Sequence, residues 1–348
     1  MKKIAKVFTT MALLLGLTLT GCGNSDDSAS TSTNNQGSNT PTTSGETLEL
    51  KLGHNLAEDH AVHIALTEFA KDVEENTDGS LKIKIFPNGT LGSETDMITQ
   101  ISNGALDMAK VSAATLGNFS ENYNLFSIPY VFTDKDHYYK AMDSDVVKNI
   151  FESTKDKGFV GLTWLDSGAR SFYTVDKPIK KPTDLKGLKI RTMDSQMAID
   201  MMKNLGGSST VMGYSDIYTS LQSGVIDGAE NNITALRDHG EVAKYYSEDE
   251  HTRIPDIVVI SSSVMDKLSD DQKSAIKEAA ENMKEKYKDS WQEFENEVKK
   301  DVTEKYNVNF VEDVDKEAFK KAVQPIYDNL KKDKPEIYKS VEEIQNIK

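Results

Sequence analysis

From residue 48 onward the apolar positions switch between two periods. "LELKLGHN" (48–55) alternates in twos and predicts a strand, whereas "HAVHIALTEFAKDVEENTDG" (60–79) repeats at about 3.6, with Val62, Ala65, Phe69 and Val73 on one stripe that stops near Gly79. A strand "LKIKIF" (81–86), a Pro-Asn-Gly turn and a short helix "ETDMITQISNG" (94–104) follow. This is βαβ grammar, and it predicts an α/β protein with parallel or mixed sheets flanked by helices. The C-terminal third is helical in pattern. Ser269 with Gln272 three residues on reads as a capping box, and Ile276, Ala280, Met283, Tyr287, Trp291, Phe294, Val298 and Val302 recur at steps of three or four. Unbroken to about Tyr306, such a helix is roughly 55 Å long, enough to run across two lobes.

Two segments echo each other. "MITQISNGALDM" (97–108) and "IYTSLQSGVIDG" (217–228) both read as a helix, a terminating glycine (Gly104, Gly224), an apolar pair and an aspartate (Asp107, Asp227). The echo predicts two similar lobes. "FVGLTWLDSGARSFYTVD" (159–176) joins a buried strand to a second extended run through Gly168, as a crossing between lobes would, and "IPDIVVISSS" (254–263) suits a second crossing. The resulting division is residues 47–167 plus 255–296 for one lobe, and 168–254 plus 297–348, with the C-terminal helices, for the other.

The N-terminus has a different texture. Lys2, Lys3 and Lys6 precede "VFTTMALLLGLTLT", the layout of a secretory signal, and Leu19-Thr20-Gly21-Cys22 resembles a bacterial lipobox. The resemblance implies that residues 1–21 are a signal peptide, that Cys22 is acylated, and that the mature chain is extracytoplasmic and tethered to the cell membrane. Residues 22–46 are rich in Ser, Thr, Asn and Gly and predict a flexible linker. Cys22 is the only cysteine, which excludes an internal disulfide.

At 348 residues the chain suits two domains. Its net charge of −15 argues against nucleic acid as a partner, because such binding rests on cations that neutralise phosphates. Against that acidic background two arginines stand at strand ends: Arg170 after Gly168-Ala169, and Arg191 in "DLKGLKIRTMDS". In open α/β sheets ligands bind outside the carboxyl ends of strands, so both guanidiniums are expected to project toward one crevice. A guanidinium fork suits a carboxylate; the plainer alternative is a salt bridge to Asp or Glu. Asn231 and Asn232, in "QSGVIDGAENN", can each donate and accept toward a hydroxylated or carboxylated ligand, or serve only the turn. His60 and His63 share one helix but lack a clear third ligand, so no metal is assigned. Neither a phosphate-binding glycine loop nor a G-x-S-x-G elbow occurs. Neither a catalytic residue nor a cofactor is assigned, although the many carboxylates leave acid–base catalysis on an organic acid as an alternative.

"GARSFYTVDKPIKKPTDLKGLKIRTMDS" followed by "LGGSSTVMGYSDIYTSLQSGVIDGAENN" resembles the signature of the DctP-type substrate-binding proteins of TRAP transporters, as do "FPNGTLGSETDMITQISNGALDM" and "FSIPYVFTD". The likeness spans residues 48 to 340. It implies a two-lobe periplasmic-binding-protein fold with two connecting strands and a long C-terminal helix spanning the lobes. It further implies capture of an organic acid for a permease with a small and a large membrane subunit. By the same resemblance Arg191 pairs with the ligand carboxylate, Arg170 and Asn231 are directed at the ligand, and Asp194, Tyr214, Asn55 and His251 are neighbouring contacts. Asn232 and Glu94 complete the candidate set. Many relatives show a proline-containing loop where this chain has Gly207-Ser208-Ser209-Thr210-Val211-Met212, so the loop before Tyr214 is expected to differ in shape. Asn232 in place of a proline, with "GARSFYT" and "DEHTRIPD", points to uronate- or ketogulonate-like ligands over C4-dicarboxylates. Presentation of the ligand to a sensor kinase would use the same fold and pocket.

Overall fold

The computed structural model describes residues 47–348. Cys22, the predicted signal peptide and the predicted linker up to residue 46 lie outside the described residues. The chain opens with a βαβ unit, β1 (Leu48–Gly53), α1 (Ala61–Asn76) and β2 (Leu81–Phe86), and continues through α2 (Glu94–Ser102) to β3 (Met108–Ser112). Short helices α3 (Ala113–Leu116), α4 (Lys135–Met142) and α5 (Asp145–Glu152) lead to β4 (Phe159–Leu165), after which the chain crosses to β5 (Arg170–Thr174). The second half repeats the grammar with β6 (Lys189–Thr192), α6 (Gln196–Leu205), β7 (Ser208–Val211), α7 (Ile217–Gln222) and β8 (Gly228–Asn231). Next come α8 (Leu236–His239) and β9 (Tyr245–Thr252), and the return crossing leads into β10 (Asp256–Ser261). The chain closes with α9 (Ser262–Lys267), α10 (Asp270–Tyr306), β11 (Asn309–Val311), α11 (Lys316–Asp333) and α12 (Pro335–Gln345).

Two mixed sheets result, ordered β2-β1-β3-β10-β4 and β11-β9-β5-β8-β6-β7. The predicted echo has a structural cause. Gly104 and Gly224 both take a left-handed conformation, with φ of 74° and 72°, and end α2 and α7. The aspartate that follows then fixes a neighbouring strand: Asp107 Oδ2 accepts from Lys51 N of β1 at 2.8 Å, and Asp227 Oδ2 accepts from Lys189 N of β6 at 2.7 Å. β3 pairs parallel to β1, and β8 parallel to β6. The parallel strands β1, β3, β6 and β8 therefore end at one gap, where the antiparallel β5 and β10 begin, so Arg170 opens its strand instead of ending one.

Helix α1 buries Val62, Leu66, Phe69 and Val73 against the first sheet and α10, each such side chain contributing about 1.5–3 kcal/mol of apolar burial. Helix α10 starts at the predicted capping box, where Gln272 N donates to Ser269 Oγ at 3.2 Å. It packs on α1 and β4 at one end and on α8 at the other, so it spans both sheets as its length requires. Its buried stripe, including Met283, Tyr287, Val298 and Val302, is packing, as the spacing predicts, whereas Trp291 on the same stripe also lines the cleft between the sheets. The sequence division puts everything after residue 296 with the second sheet. Helix α11 does lie on α6 and β9, but α12 turns back onto α5 and residues 121–127 beside the first sheet. Its apolar face (Ile337, Val341, Ile344) gives it a core to join without saying which.

The two crossings are tied together. Arg253 Nε donates to Asp166 Oδ1 at 3.0 Å, and Tyr139 Oη donates to Asp166 Oδ2 at 2.8 Å. Gly168 has φ of 71°, and a Cβ there would meet Glu295 Oε1 of α10. The left-handed backbone accounts for a glycine in the middle of the crossing.

Candidate functional site

A cleft of about 610 Å³ opens between the strand ends of the two sheets. From the first sheet's side come Asn55 after β1, Glu94 at the start of α2, Lys110 and Ser112 of β3, and Asp256 at the head of β10. From the second come Arg170, Arg191, Asp194, Tyr214, Asn231 and Asn232. Eight of the nine sequence-predicted contacts thus line one cavity. The ninth, His251, does not line it and stands behind Glu230.

The two arginines differ in their partners. Arg170 spends four of its five N–H donors within its own sheet: Nε donates to Glu230 Oε2 at 2.8 Å, Nη2 to Glu230 Oε1 at 3.0 Å and to the Glu230 carbonyl at 2.8 Å, and Nη1 to Asn231 Oδ1. Burial alone would raise the Glu230 pKa, but the Arg170 guanidinium and the hydrogen bonds from His251 and Arg170 bring it down to about 2. His251 closes the chain of charges, its Nδ1 lying 2.7 Å from Asp249 Oδ2 and its Nε2 3.4 Å from Glu230 Oε2. Burial works against the imidazolium there, yet Asp249 and Glu230 hold its pKa up at about 9. Two cations and two carboxylates cancel, so the salt-bridge alternative holds for Arg170, and His251 supports that pair from behind.

Arg191 carries the site's unbalanced charge. It is 4% exposed, and its Nε and Nη2 both donate to the Met212 carbonyl, at 3.0 and 2.9 Å. No carboxylate of the described residues lies within 4.0 Å of it. Burial presses its pKa down and Glu230 offsets this, although a guanidinium stays protonated in any case. The loop in which this chain departs from the expected pattern supplies the clamp: Ser208–Val211 forms edge strand β7, and Met212 just beyond it orients the fork.

The other candidates have mixed duties. Asn231 Oδ1 also accepts from Asn232 N at 2.9 Å, and Asn232 Oδ1 caps the next turn through Thr234 N at 3.1 Å, which is the plainer turn reading. Tyr214 Oη donates to Asp238 Oδ2 at 2.6 Å. Asp194 reaches across the gap, its Oδ2 accepting from Thr95 Oγ1 at 3.2 Å and its carbonyl from Asn118 Nδ2 at 2.7 Å. Asp59 pairs with Arg237 outside the cleft lining, beside α10, and His60 Nε2 lies 3.4 Å from Thr234 Oγ1. These contacts from one sheet's elements to the other's describe a closed cleft.

Sequence reasoning missed Lys110 and Asp256. Lys110 Nζ is 3.2 Å from Asp256 Oδ2, 3.2 Å from Asn55 Oδ1 and 3.7 Å from Glu94 Oε1, while Glu94 Oε2 accepts from Thr115 Oγ1 at 2.9 Å. The signal was present, since Lys110 interrupts an apolar strand and Asp256 opens another. His60 and His63 diverge: His60 Nδ1 accepts from Val62 N at 3.2 Å as the cap of α1, and His63 Nδ1 meets His54 Nε2 at 3.0 Å.

Known proteins share this build. A TRAP periplasmic solute-binding protein of Anaerococcus prevotii with bound α/β-D-glucuronate is 37% identical, with a TM-score of 0.82 over 86% of this chain and 98% of that one. Another, from Chromohalobacter salexigens with bound D-glucuronate, is 34% identical with a TM-score of 0.83 over 86% of this chain and all (100%) of that one. The 2,3-diketo-L-gulonate-binding periplasmic protein of Escherichia coli is 31% identical over 302 residues, 85% of this chain and 92% of that protein. The description of bacterial extracellular solute-binding proteins, family 7, matches residues 52–333, through both sheets and both crossings, and the chain belongs to this DctP family.

Proposed function

We propose that this protein captures a sugar acid, of the uronate or ketogulonate kind, outside the cytoplasm and delivers it to a TRAP-type permease with its small and large membrane subunits. The observation that carries the reading is Arg191: a buried guanidinium, aimed into a closed cleft and lacking a protein carboxylate among the described residues. An unpaired buried charge is unfavourable, and a ligand carboxylate relieves it. Relatives support the class, since two structures hold D-glucuronate and a third protein is named for 2,3-diketo-L-gulonate; all are solute-binding proteins rather than enzymes. The carboxylate docks on Arg191, the lobes close over it, and loss of water strengthens the ion pair. Acylation at Cys22 would keep the protein at the membrane beside its permease.

The test is a thermal-shift panel on residues 47–348 with uronates, aldonates, ketogulonates, C4-dicarboxylates, 2-oxo acids and matched neutral sugars. A ligand that binds only the folded state raises the melting temperature. Shifts from sugar acids without shifts from neutral sugars are expected. A shift from succinate or malate alone would move the ligand to C4-dicarboxylates, and shifts from neutral sugars alone would overturn the role of Arg191.

A further inference from the structure

The wall facing Arg191 is unusual for a site that takes an anion. Lys110 lies in a strand whose five residues, Met108–Ser112, are all buried, and it is itself 2% exposed. Its ammonium donates to Asn55 Oδ1 and forms ion pairs with Asp256 and Glu94. One carboxylate would balance one ammonium, yet this wall holds two. At 3.7 Å the Glu94 Oε1 contact is an ion pair and too long for a hydrogen bond, so that oxygen keeps its accepting capacity. Asp256 Oδ1 has no hydrogen bond among the described residues either, and both carboxylates line the cleft. Thr115 holds the other oxygen of Glu94, which fixes the direction of the free one.

We infer that Glu94 and Asp256, held by Lys110, read the hydroxyl end of the ligand and exclude a second carboxylate there. This rests on the capture of a sugar acid's carboxylate by Arg191. The chemistry is one-sided. Ionised carboxylates only accept hydrogen bonds, so they match hydroxyl groups, which donate, and mismatch a second carboxylate, which has nothing to donate. Charge acts the same way. A formal surplus of one negative charge on this wall stands opposite the positive Arg191, and Glu94 lies close enough for its charge to act on Arg191. An acid with one carboxylate aligns with that field, while a diacid must place its second charge against it. The site therefore selects polyhydroxy monocarboxylates over dicarboxylates by rejection as well as by attraction.

Two matched pairs test this by calorimetry: D-galacturonate with D-galactarate, and D-gluconate with D-glucarate, the diacid in each case carrying the additional carboxylate. The wild-type protein is expected to bind its preferred monoacid at least about 100-fold more tightly than either diacid. Glu94→Gln and Asp256→Asn, which keep shape but remove charge and add a donor, are each expected to weaken the monoacid roughly 10- to 100-fold and to narrow the mono-to-diacid ratio at least about ten-fold. Unchanged ratios in both variants would overturn the inference. So would a wild-type protein that binds a diacid as tightly as the monoacid, a result that needs no variant to fold. A wild-type protein that binds none of the monoacids overturns the sugar-acid reading itself, and is told apart because the variants then play no part.

Discussion

Replacing Arg191 and Arg170 separately by alanine should divide ligand capture from scaffold, although both are buried guanidiniums in one cleft. Arg170→Ala strips Glu230 of its bidentate partner and leaves a carboxylate, now supported by His251 alone, in a buried setting. Breaking a buried pair of this kind costs about 3–5 kcal/mol, which corresponds to a drop of order 10 °C in melting temperature without ligand. Arg191→Ala removes a cation that has no protein carboxylate to abandon and only the Met212 carbonyl to release. The ligand-free melting temperature should hold within about 2 °C or rise, since an uncompensated buried charge disappears. Binding should behave in the opposite way. Losing the partner of a desolvated carboxylate costs about 2–5 kcal/mol, roughly 30- to 4,000-fold in Kd for D-glucuronate. Arg191→Lys should fall between, because an ammonium has no fork to hold the Met212 carbonyl and a carboxylate in one plane. Differential scanning fluorimetry without ligand and titration calorimetry with it are sufficient. Binding by Arg191→Ala within three-fold of the parent would refute the assignment, as would a loss of ligand-free stability equal to that of Arg170→Ala.

Three further expectations concern the frame around the cleft. Burial first, and Asp166 second, push the Glu295 carboxyl up to about 7, against the opposing charges of Arg253 and Lys135. A carboxyl raised in the folded state favours folding below its unfolded value near 4.5 and loses that advantage as pH rises toward 7, so Glu295→Gln should add up to about 3 kcal/mol at pH 8 and little at pH 4. Urea unfolding at the two pH values measures it, and an equal effect at both would be the wrong result. Gly168→Ala should destabilise by about 1–2 kcal/mol, because its φ of 71° is left-handed and Glu295 Oε1 must move aside for a Cβ; parental stability would show that the crossing yields freely. Arg237→Ala removes a partly exposed pair with Asp59 that joins the two lobes beside α10, worth about 0.2–1 kcal/mol, so stopped-flow release of ligand should speed up by less than about five-fold, and less still in high salt.

Much of the frame was legible because it is written locally. The stripe of α10, its capping box and the two glycine-ended helices each depend on residues within a few positions of one another. Both crossings could be placed because each joins two extended runs, one of them interrupted by Gly168. What escaped was what distant strands decide. No local pattern says that Arg170 will meet Glu230 across a strand pair, or that Lys110 will meet Asp256 on adjacent antiparallel strands. Family likeness located His251 near the site without showing that Glu230 stands between it and the cleft. Helix α12 packs on α11 as well as on α5 and residues 121–127, which no local pattern says, since an apolar face fits either core until the preceding turn sets its direction.

The repeated helix–glycine–strand joint offers a pair of vantage points. Ala105 and Val225 follow Gly104 and Gly224 at corresponding places in the two joints, both exposed and both at the strand beginnings, away from the cleft. No cysteine occurs in residues 47–348, so a thiol introduced at each of these positions would take a pair of fluorophores without competition. The distance between the dyes would then report the swing of one lobe against the other in a single molecule, with the label far from the chemistry that drives it.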